Sequence, residues 1–318
     1  MTAVSSVDVA AALRGAPAVS ILCHVRPDAD TIGSGLALGI ALVRLGVDVE
    51  VAFPDDGPLP AALRGLPGSK LIVAVADLVG HPVVVSVDAA SRGRLTTLGS
   101  VFDRAERTIV IDHHGSNTGF GDLDLIDETA DCTTALALSV IDALGVDVDT
   151  DIATCLYAGL VTDTGSFKWA RPESFRIAAR LIEAGVDGRT WSRTLLDTHP
   201  FDWLGMVGGV LSGAKLVPEA CNGDGLVYAV VENALLSKMS WEESESVVDI
   251  VRTAREAEVA AVFKENEPGV WSVSLRSKTS VDLIPIAAAH GGGGHRHASG
   301  YSDSGTAADV VARLLESL

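Results

Sequence analysis

The stretch that decides the fold is Val19-Ser20-Ile21-Leu22-Cys23-His24-Val25-Arg26-Pro27-Asp28-Ala29-Asp30-Thr31. Val19 to Cys23 is mostly apolar and predicts a buried strand. A polar loop follows, stiffened where Pro27 fixes one φ. Small residues then predict a helix over 32–45, with Asp30 or Thr31 capping its start and Gly46 closing its end. Val47 to Phe53 predicts a second strand. Strand, loop, helix and strand together are the opening of an α/β sheet.

The same order recurs downstream. Residues 82–87 predict a strand that ends at Asp88. Residues 108–111 predict another, ending at Asp112-His113-His114-Gly115, and 123–126 a short one. Helices are predicted over 133–144, 151–161 and 172–184, the second running into Thr162-Asp163-Thr164-Gly165. Acid- and histidine-rich segments therefore repeatedly follow buried strands. In an open α/β sheet those carboxyl ends border one crevice, where ligands bind. A single Asp in such a place is more often a turn or cap residue. Several such segments together point to a site.

The chain has 318 residues, of which 47% are hydrophobic and only 5% aromatic. The length suits two domains, and the aliphatic composition suits helices packed on a parallel sheet. We expect an α/β domain with a mostly parallel sheet flanked by helices over 1–187. A linker with its own helix over 188–202 and a smaller α/β domain over 203–318 follow. Strands are predicted in the latter over 226–231, 261–263 and 270–275, and helices over 242–255, 283–289 and 307–315.

A net charge of −18 argues against long duplex DNA as a partner, because binding there rests on many Lys and Arg contacts to phosphates. Small phosphorylated substrates remain compatible, since a metal cluster supplies local positive charge. Cys23, Cys132, Cys155 and Cys221 form no C-x-x-C pair, which excludes zinc-ribbon and thioredoxin-like motifs. Their scatter suits reduced thiols in the cytoplasm. Residues 1–12 lack the pattern of a signal peptide, and no apolar run reaches membrane-spanning length. A cytoplasmic protein without a membrane partner is expected.

Two clusters carry chemistry. The first is His24, Asp28 and Asp30 on one loop, Asp88 on a second, His113 and His114 on a third, and Asp163 on a fourth. Carboxylates and imidazoles without thiolates suit Mn²⁺, Fe²⁺ or Co²⁺. The set suffices for two ions if one carboxylate bridges, and paired ions activate a water and neutralise a phosphoryl group. Such a site needs no Ser or Cys nucleophile. The second cluster is Gly291-Gly292-Gly293-Gly294-His295-Arg296-His297-Ala298-Ser299-Gly300. Its glycines allow close approach of a phosphate to backbone N–H groups, and Arg296 has the shape for bidentate phosphate contact.

The motifs His24-Val25-Arg26-Pro27-Asp28-Ala29-Asp30, Val87-Asp88-Ala89-Ala90-Ser91, Asp112-His113-His114 and Thr162-Asp163-Thr164-Gly165, in this order, resemble those of the DHH phosphoesterase family. That family includes RecJ-like nucleases, family II inorganic pyrophosphatases and bifunctional oligoribonuclease/pAp phosphatases. The resemblance spans nearly the whole chain. It implies one Mn²⁺ on His24, Asp28 and Asp88 and a second on Asp30, Asp88, His113 and Asp163, with Asp88 bridging. Mg²⁺ or Co²⁺ are the substitutes. His114 resembles the histidine that faces the scissile phosphate, and Asp112 resembles a residue that orients a histidine; His114, Asp88 and Asp112 are thus the catalytic candidates.

The glycine-histidine segment resembles the motif of the DHH-associated C-terminal domain. It implies substrate binding by Gly293, Gly294, His295 and Arg296, and Arg276 matches a substrate-binding arginine of relatives. The implied substrates are short RNA oligonucleotides, 3′-phosphoadenosine 5′-phosphate (pAp) and linear or cyclic dinucleotides; the implied assembly is a homodimer. Two alternatives stand beside this reading. One is an inorganic pyrophosphatase or exopolyphosphatase, which shares the metal half. The other is a non-catalytic nucleotide- or RNA-binding module, since a similar domain occurs in alanyl-tRNA synthetases.

Overall fold

The computed structural model describes residues 4–54 and 58–318. They form two units, Met1–Thr198 and His199–Leu318. The strands of the first unit are β1 Ala18–Leu22, β2 Asp48–Ala52, β3 Val83–Val87, β4 Arg107–Asp112 and β5 Leu123–Ile126. Its helices are α1 Ser6–Arg14, α2 Ala29–Arg44, α3 Gly99–Arg104, α4 Thr133–Leu144, α5 Thr150–Asp163, α6 Pro172–Glu183 and α7 Gly188–Leu196.

Among the described residues the first sheet has the order β2-β1-β3-β4-β5, with every pairing parallel. Apolar side chains leave both faces. Ile21, Val51, Val85 and Ile111 pack with α2, α4 and α5 on one side. Leu22, Ala52, Val84 and Val110 pack with Leu98 and Phe102 on the other. Burial on both faces is why these strands read as continuous apolar runs. The strand order reverses between β1 and β3, and a sheet of this kind opens its ligand crevice at that switch point.

At the ends of α2 one local expectation changes and one holds. Helix α2 starts at Ala29, and its N-cap is Asp28 rather than Asp30 or Thr31. The Asp28 carboxylate accepts the amides of Asp30 and Thr31 at 3.1 and 3.0 Å, so the cap falls two residues earlier. At the other end, Gly46 takes φ +82° and donates to Val43 O at 3.0 Å, while Val47 N donates to Leu42 O at 3.1 Å. That is a Schellman closure, which favours glycine at this position.

The second unit contains α8 Phe201–Ser212, β6 Lys215–Val217, β7 Leu226–Val231, α9 Asn233–Leu236, α10 Trp241–Val251, β8 Val259–Glu267, β9 Val270–Ser277, α11 Leu283–Ala289, β10 Gly293–His295, β11 Ala298–Ser304 and α12 Ala307–Ser317. Its sheet runs β10-β11-β9-β8-β7-β6; β7 and β8 pair in parallel and the other neighbours antiparallel. Trp271, Val273 and Leu275 face Leu283, Val310 and Leu314. Val227, Ala229, Ala260 and Val262 pack on the opposite face with Trp203, Val207, Val247 and Val248.

The helix expected over 242–255 ends at Val251, because Thr253 and Ala254 donate instead to Ile250 and Val251 in tight turns. Residues 188–202 carry α7 and the start of α8. The four cysteines are free and buried. Among the described residues no helix is long and apolar enough to cross a membrane.

Candidate metal centre and glycine hairpin

The segments after β1, β3 and β4 and the end of α5 bring His24, Asp28, Asp30, Asp88, His113, His114, Asp112 and Asp163 together at the switch-point end of the first sheet. Asp88 lies at the centre. Its backbone is left-handed at φ +60°, an uncommon state for a residue with a side chain. The bend begins one residue after β3, where Asp88 N still donates to Ile111 O at 2.9 Å. One carboxylate oxygen, Oδ2, lies 3.4 Å from His24 Nε2, and the other, Oδ1, lies 3.5 Å from His113 Nε2. Asp88 therefore faces two imidazoles with two different oxygens.

Around His24, the ring Nδ1 lies 2.8 Å from Val25 O. Its Nε2 lies 3.4 Å from Asp28 Oδ2 as well as from Asp88 Oδ2. The Arg94 guanidinium sits 3.0 Å from the same Nδ1. Burial pushes the Asp28 carboxyl up, but His24, the Thr31 amide and the Arg94 charge outweigh it and hold Asp28 well below the usual carboxylate range.

Around His113, Nδ1 points at Ala130 O across 3.4 Å, and Nε2 faces Asp163 Oδ2 at 3.3 Å and Asp30 Oδ2 at 3.8 Å. Asp30 is fully buried. Its carboxylate also caps α4, accepting Thr133 N at 2.6 Å and Thr134 N at 2.9 Å. The N-cap position of α4 is Cys132, which provides no side-chain cap, so Asp30 supplies one from another helix. The Thr133 hydroxyl donates to Asp88 Oδ1 at 2.9 Å.

Burial pushes the Asp30, Asp88 and Asp163 carboxyls up, and the charges of neighbouring acids, Asp28 for all three, add to it; Asp163 reaches about 7. Burial alone would lower His113, but its hydrogen bond to Asp163 and the charges of Asp88 and Asp30 raise it to about 10. A buried set of repelling acids that holds protons is an environment that favours a cation.

His114 and Asp112 form a pair beside Asp88, whose Oδ1 lies 3.7 Å from His114 Nδ1. His114 Nδ1 lies 2.7 Å from Asp112 Oδ1, and Asn117 Nδ2 donates to Asp112 Oδ2 at 2.7 Å. Both Asp112 oxygens are thus engaged, and the ring of His114 is oriented by that carboxylate. Ligand atoms of His24, Asp28 and Asp88 lie within 4.8 Å of one another, as do those of Asp30, His113 and Asp163. Each set offers carboxylate oxygens and one imidazole nitrogen, donors that suit a first-row dication.

Several contributors are not foreseen in the sequence. Thr133, Thr134 and Asn117 hold acids in place, and Arg94 adds charge. Gly159 and Gly33 let α5 approach α2: a Cβ on Gly159 would meet Asp30 Oδ1 at 2.4 Å, and one on Gly33 would meet Cys155 O at 2.3 Å. Lys168 is exposed.

In the second unit the glycine segment is a hairpin rather than an open loop. Gly293 pairs with Gly300, Gly294 with Ser299 and His295 with Ala298, leaving Arg296 and His297 as its two-residue turn. Cβ atoms on Gly292 and Gly294 would meet Gly300 O at 2.1 Å and Ala298 O at 2.5 Å. The hairpin's own closeness therefore accounts for these two glycines. Ala298 also pairs with Arg276 of β9. His295, Ala298 and Arg276 consequently line up on one face of the sheet across β10, β11 and β9. Arg276 Nε lies 3.7 Å from Asp249 Oδ1. Arg296 is exposed, and His297 is held by Ser277 Oγ at 2.9 Å from Nδ1.

Residues 18–160 match the DHH family, N-terminal domain, and residues 223–318 match the DHHA1 domain. The chain is 33% identical over 308 residues to the bifunctional oligoribonuclease and PAP phosphatase NrnA of Thermus thermophilus, covering 94% of this chain and 89% of that protein. It is 26% identical over 302 residues to the protein of the same name from Bacillus subtilis, covering 93% and 92%. The crystal structure of an exopolyphosphatase-related protein from Bacteroides fragilis superposes with a TM-score of 0.86 at 25% identity, covering 100% of this chain and 97% of that one. RecJ of Thermus thermophilus in complex with Mn²⁺ shares the fold at a TM-score of 0.57 and 14% identity, covering 98% of this chain and 54% of that one.

Proposed function

We propose that this chain, which belongs to the DHH family and carries both its N-terminal and DHHA1 domains, is a metal-dependent phosphoesterase acting on short oligoribonucleotides and on pAp. The observation that carries the reading is Asp88, whose two oxygens face His24 and His113 separately. We assign one ion to His24, Asp28 and Asp88 and a second to Asp30, Asp88, His113 and Asp163. Manganese is the working choice, with Mg²⁺ or Co²⁺ as substitutes. When bound, such a pair activates the attacking water and neutralises charge on the phosphoryl group.

The protein's own groups do the remaining work. Val25 O and Ala130 O sit at the Nδ1 sides of the His24 and His113 rings and turn each Nε2 toward the carboxylates. Asp112 orients His114 through Nδ1, and we assign His114 to take a proton or, once protonated, to donate to a phosphate oxygen. Arg276, Gly293, Gly294, His295 and Arg296 are assigned to substrate binding, with Arg276 and His295 presenting donors from one sheet face. We divide the tasks as metal chemistry in residues 1–187 and substrate binding in 203–318.

Identity to oligoribonuclease and PAP phosphatases over nearly the full chain favours short RNA and pAp. The net charge of −18 points away from long strands. The proposal extends to linear and cyclic dinucleotides as further substrates, a homodimer as the assembly and the cytoplasm as the compartment. A second reading, hydrolysis of polyphosphate, is favoured by the likeness to the exopolyphosphatase-related protein.

Product analysis by chromatography decides between them. The protein with Mn²⁺ is given, separately, a di- to pentaribonucleotide, pAp, linear and cyclic diadenylate, pyrophosphate and polyphosphate. Mononucleotides from the short RNAs and AMP from pAp, with pyrophosphate and polyphosphate intact, support the proposal. Turnover of polyphosphate alone supports the second reading, and no turnover with any metal overturns both.

A further inference from the structure

Arg94 places a guanidinium against the carboxylate–imidazole cluster without an acid partner of its own. The residue is exposed. No carboxylate among the described residues pairs with it, whereas Arg92, two residues earlier, donates Nε to Asp103 Oδ1 at 2.7 Å. The Arg94 guanidinium lies instead 3.0 Å from Nδ1 of the buried His24. The segment that carries it is anchored on two sides. Arg92–Leu98 forms a 3₁₀ turn, and its Leu95 and Leu98 are buried against Leu22, Val84 and Val110. Arg94 N donates to Ser91 O at 3.0 Å, and Arg94 O accepts Val25 N at 2.9 Å. A main-chain bond therefore ties Arg94 to the loop of His24 and Asp28.

Thr96, two residues on, takes φ +43°, an uncommon value for a β-branched residue. Strained backbone of this kind gathers at ligand sites. The contact with His24 is itself unsettled. Val25 O, 2.8 Å from Nδ1, needs a donor there, and Arg94 needs an acceptor. One ring nitrogen meets only one of these demands. When Nε2 keeps its lone pair for an ion, Nδ1 carries the hydrogen and donates to Val25 O. Arg94 is then left beside the ring with its N–H groups unspent. Burial raises the Asp28 carboxyl, while His24 and Arg94 are among the charges that lower it. Once Asp28 serves an ion, its charge is met there, and the guanidinium is left for another anion.

We propose that Arg94 grips the reacting phosphate, its guanidinium donating to non-bridging oxygens from the His24 side of the cluster. The inference rests on reading the cluster as a phosphoesterase site. A planar guanidinium fits two oxygens of a phosphoryl group at once, and it stays charged at any working pH. Arg94 thereby adds a fixed positive charge where the phosphoryl group gains negative charge. It acts on phosphoester substrates alike, whatever base they carry.

The test uses the full-length protein with Mn²⁺, as wild type, Arg94→Gln, Arg94→Lys and Arg92→Gln. Binding of inorganic phosphate is measured by titration calorimetry, alongside manganese content and turnover of a diribonucleotide and of pAp. A hydrogen bond to a charged group contributes roughly ten- to a hundredfold. Arg94→Gln is expected to weaken phosphate binding by about that factor and to lower kcat/KM on both substrates by at least as much. Arg94→Lys is expected to fall in between, because an ammonium keeps the charge and loses the planar fork. Arg92→Gln is expected to match wild type, with manganese content equal in all four proteins.

Wild-type phosphate affinity in Arg94→Gln overturns the proposal. So does an equal loss in Arg92→Gln, which would reduce the effect to general charge. An Arg94→Gln protein that has lost its manganese also overturns it, since Arg94 would then be a support for His24. A wild type that binds phosphate but turns over neither substrate sinks the phosphoesterase reading, and the phosphate affinities then decide Arg94 alone. A wild type without measurable phosphate affinity overturns the grip outright.

Discussion

Thr133 donates its hydroxyl to Asp88 Oδ1 across 2.9 Å, and through its amide it also holds Asp30 Oδ2 at 2.6 Å. One fully buried residue thus sets the relative position of two acids that approach from different helices and loops. Thr133→Val keeps the shape and the amide but removes the hydroxyl. Hydrogen-bonding partners of metal ligands typically contribute about 10- to 100-fold in metal affinity or activity. We expect a loss of that size in Mn²⁺ affinity by titration calorimetry, with circular dichroism unchanged and Thr133→Ser close to wild type. Wild-type affinity in Thr133→Val would remove Thr133 from the site.

Gly159→Ala separates helix propensity from site geometry. In an ordinary helix interior the change is favourable by about 1 kcal/mol. Here the new methyl would lie 2.4 Å from Asp30 Oδ1 and 2.6 Å from Thr134 Cγ2, so Asp30 must move. Overpacking of this kind costs roughly 1–3 kcal/mol. Thermal unfolding is expected at a lower temperature than wild type, together with reduced metal content. A more stable variant with full metal content would show that α5 and α2 have room to separate.

The strand ends were legible in the sequence because polar residues follow short apolar runs, as at Leu22-Cys23-His24 and Val87-Asp88. The sheet order was not, since nothing local in β3 says that it lies beside β1 rather than β2. Thr133 and Gly159 were not legible for a related reason. Their roles arise only where α2, α4 and α5 meet, and a Thr opening a helix or a Gly inside one has no distinctive spacing. The glycine hairpin was hidden because Gly293 to His295 lacks the β-branched alternation that marks a strand. Its pairing with β11 is visible only once β9 is in place.

Metal binding should release protons, and more of them in acid. Without an ion, His113 is raised to about 10 and Asp163 to about 7, so both hold protons below neutrality, while a ligand must be deprotonated. As pH rises through 7, Asp163 loses its proton first and fewer protons remain to be displaced. Apparent Mn²⁺ affinity therefore rises from pH 6 to pH 8, and the number of protons released falls. Calorimetry in two buffers of different ionisation enthalpy measures both. Affinity independent of pH over this range would mean that His113 and Asp163 do not bind the ion.

Whether Asp88 serves two ions at once is read from bound manganese per chain in wild type and Asp88→Asn after dialysis, with turnover of a diribonucleotide measured in parallel. Asn tolerates the left-handed backbone that Asp88 adopts, so the fold should survive while the bridging charge is lost. Two ions per wild-type chain, a clear loss of manganese in the variant and turnover below detection are expected. Full manganese and near-normal turnover in Asp88→Asn would contradict the two-ion role of Asp88.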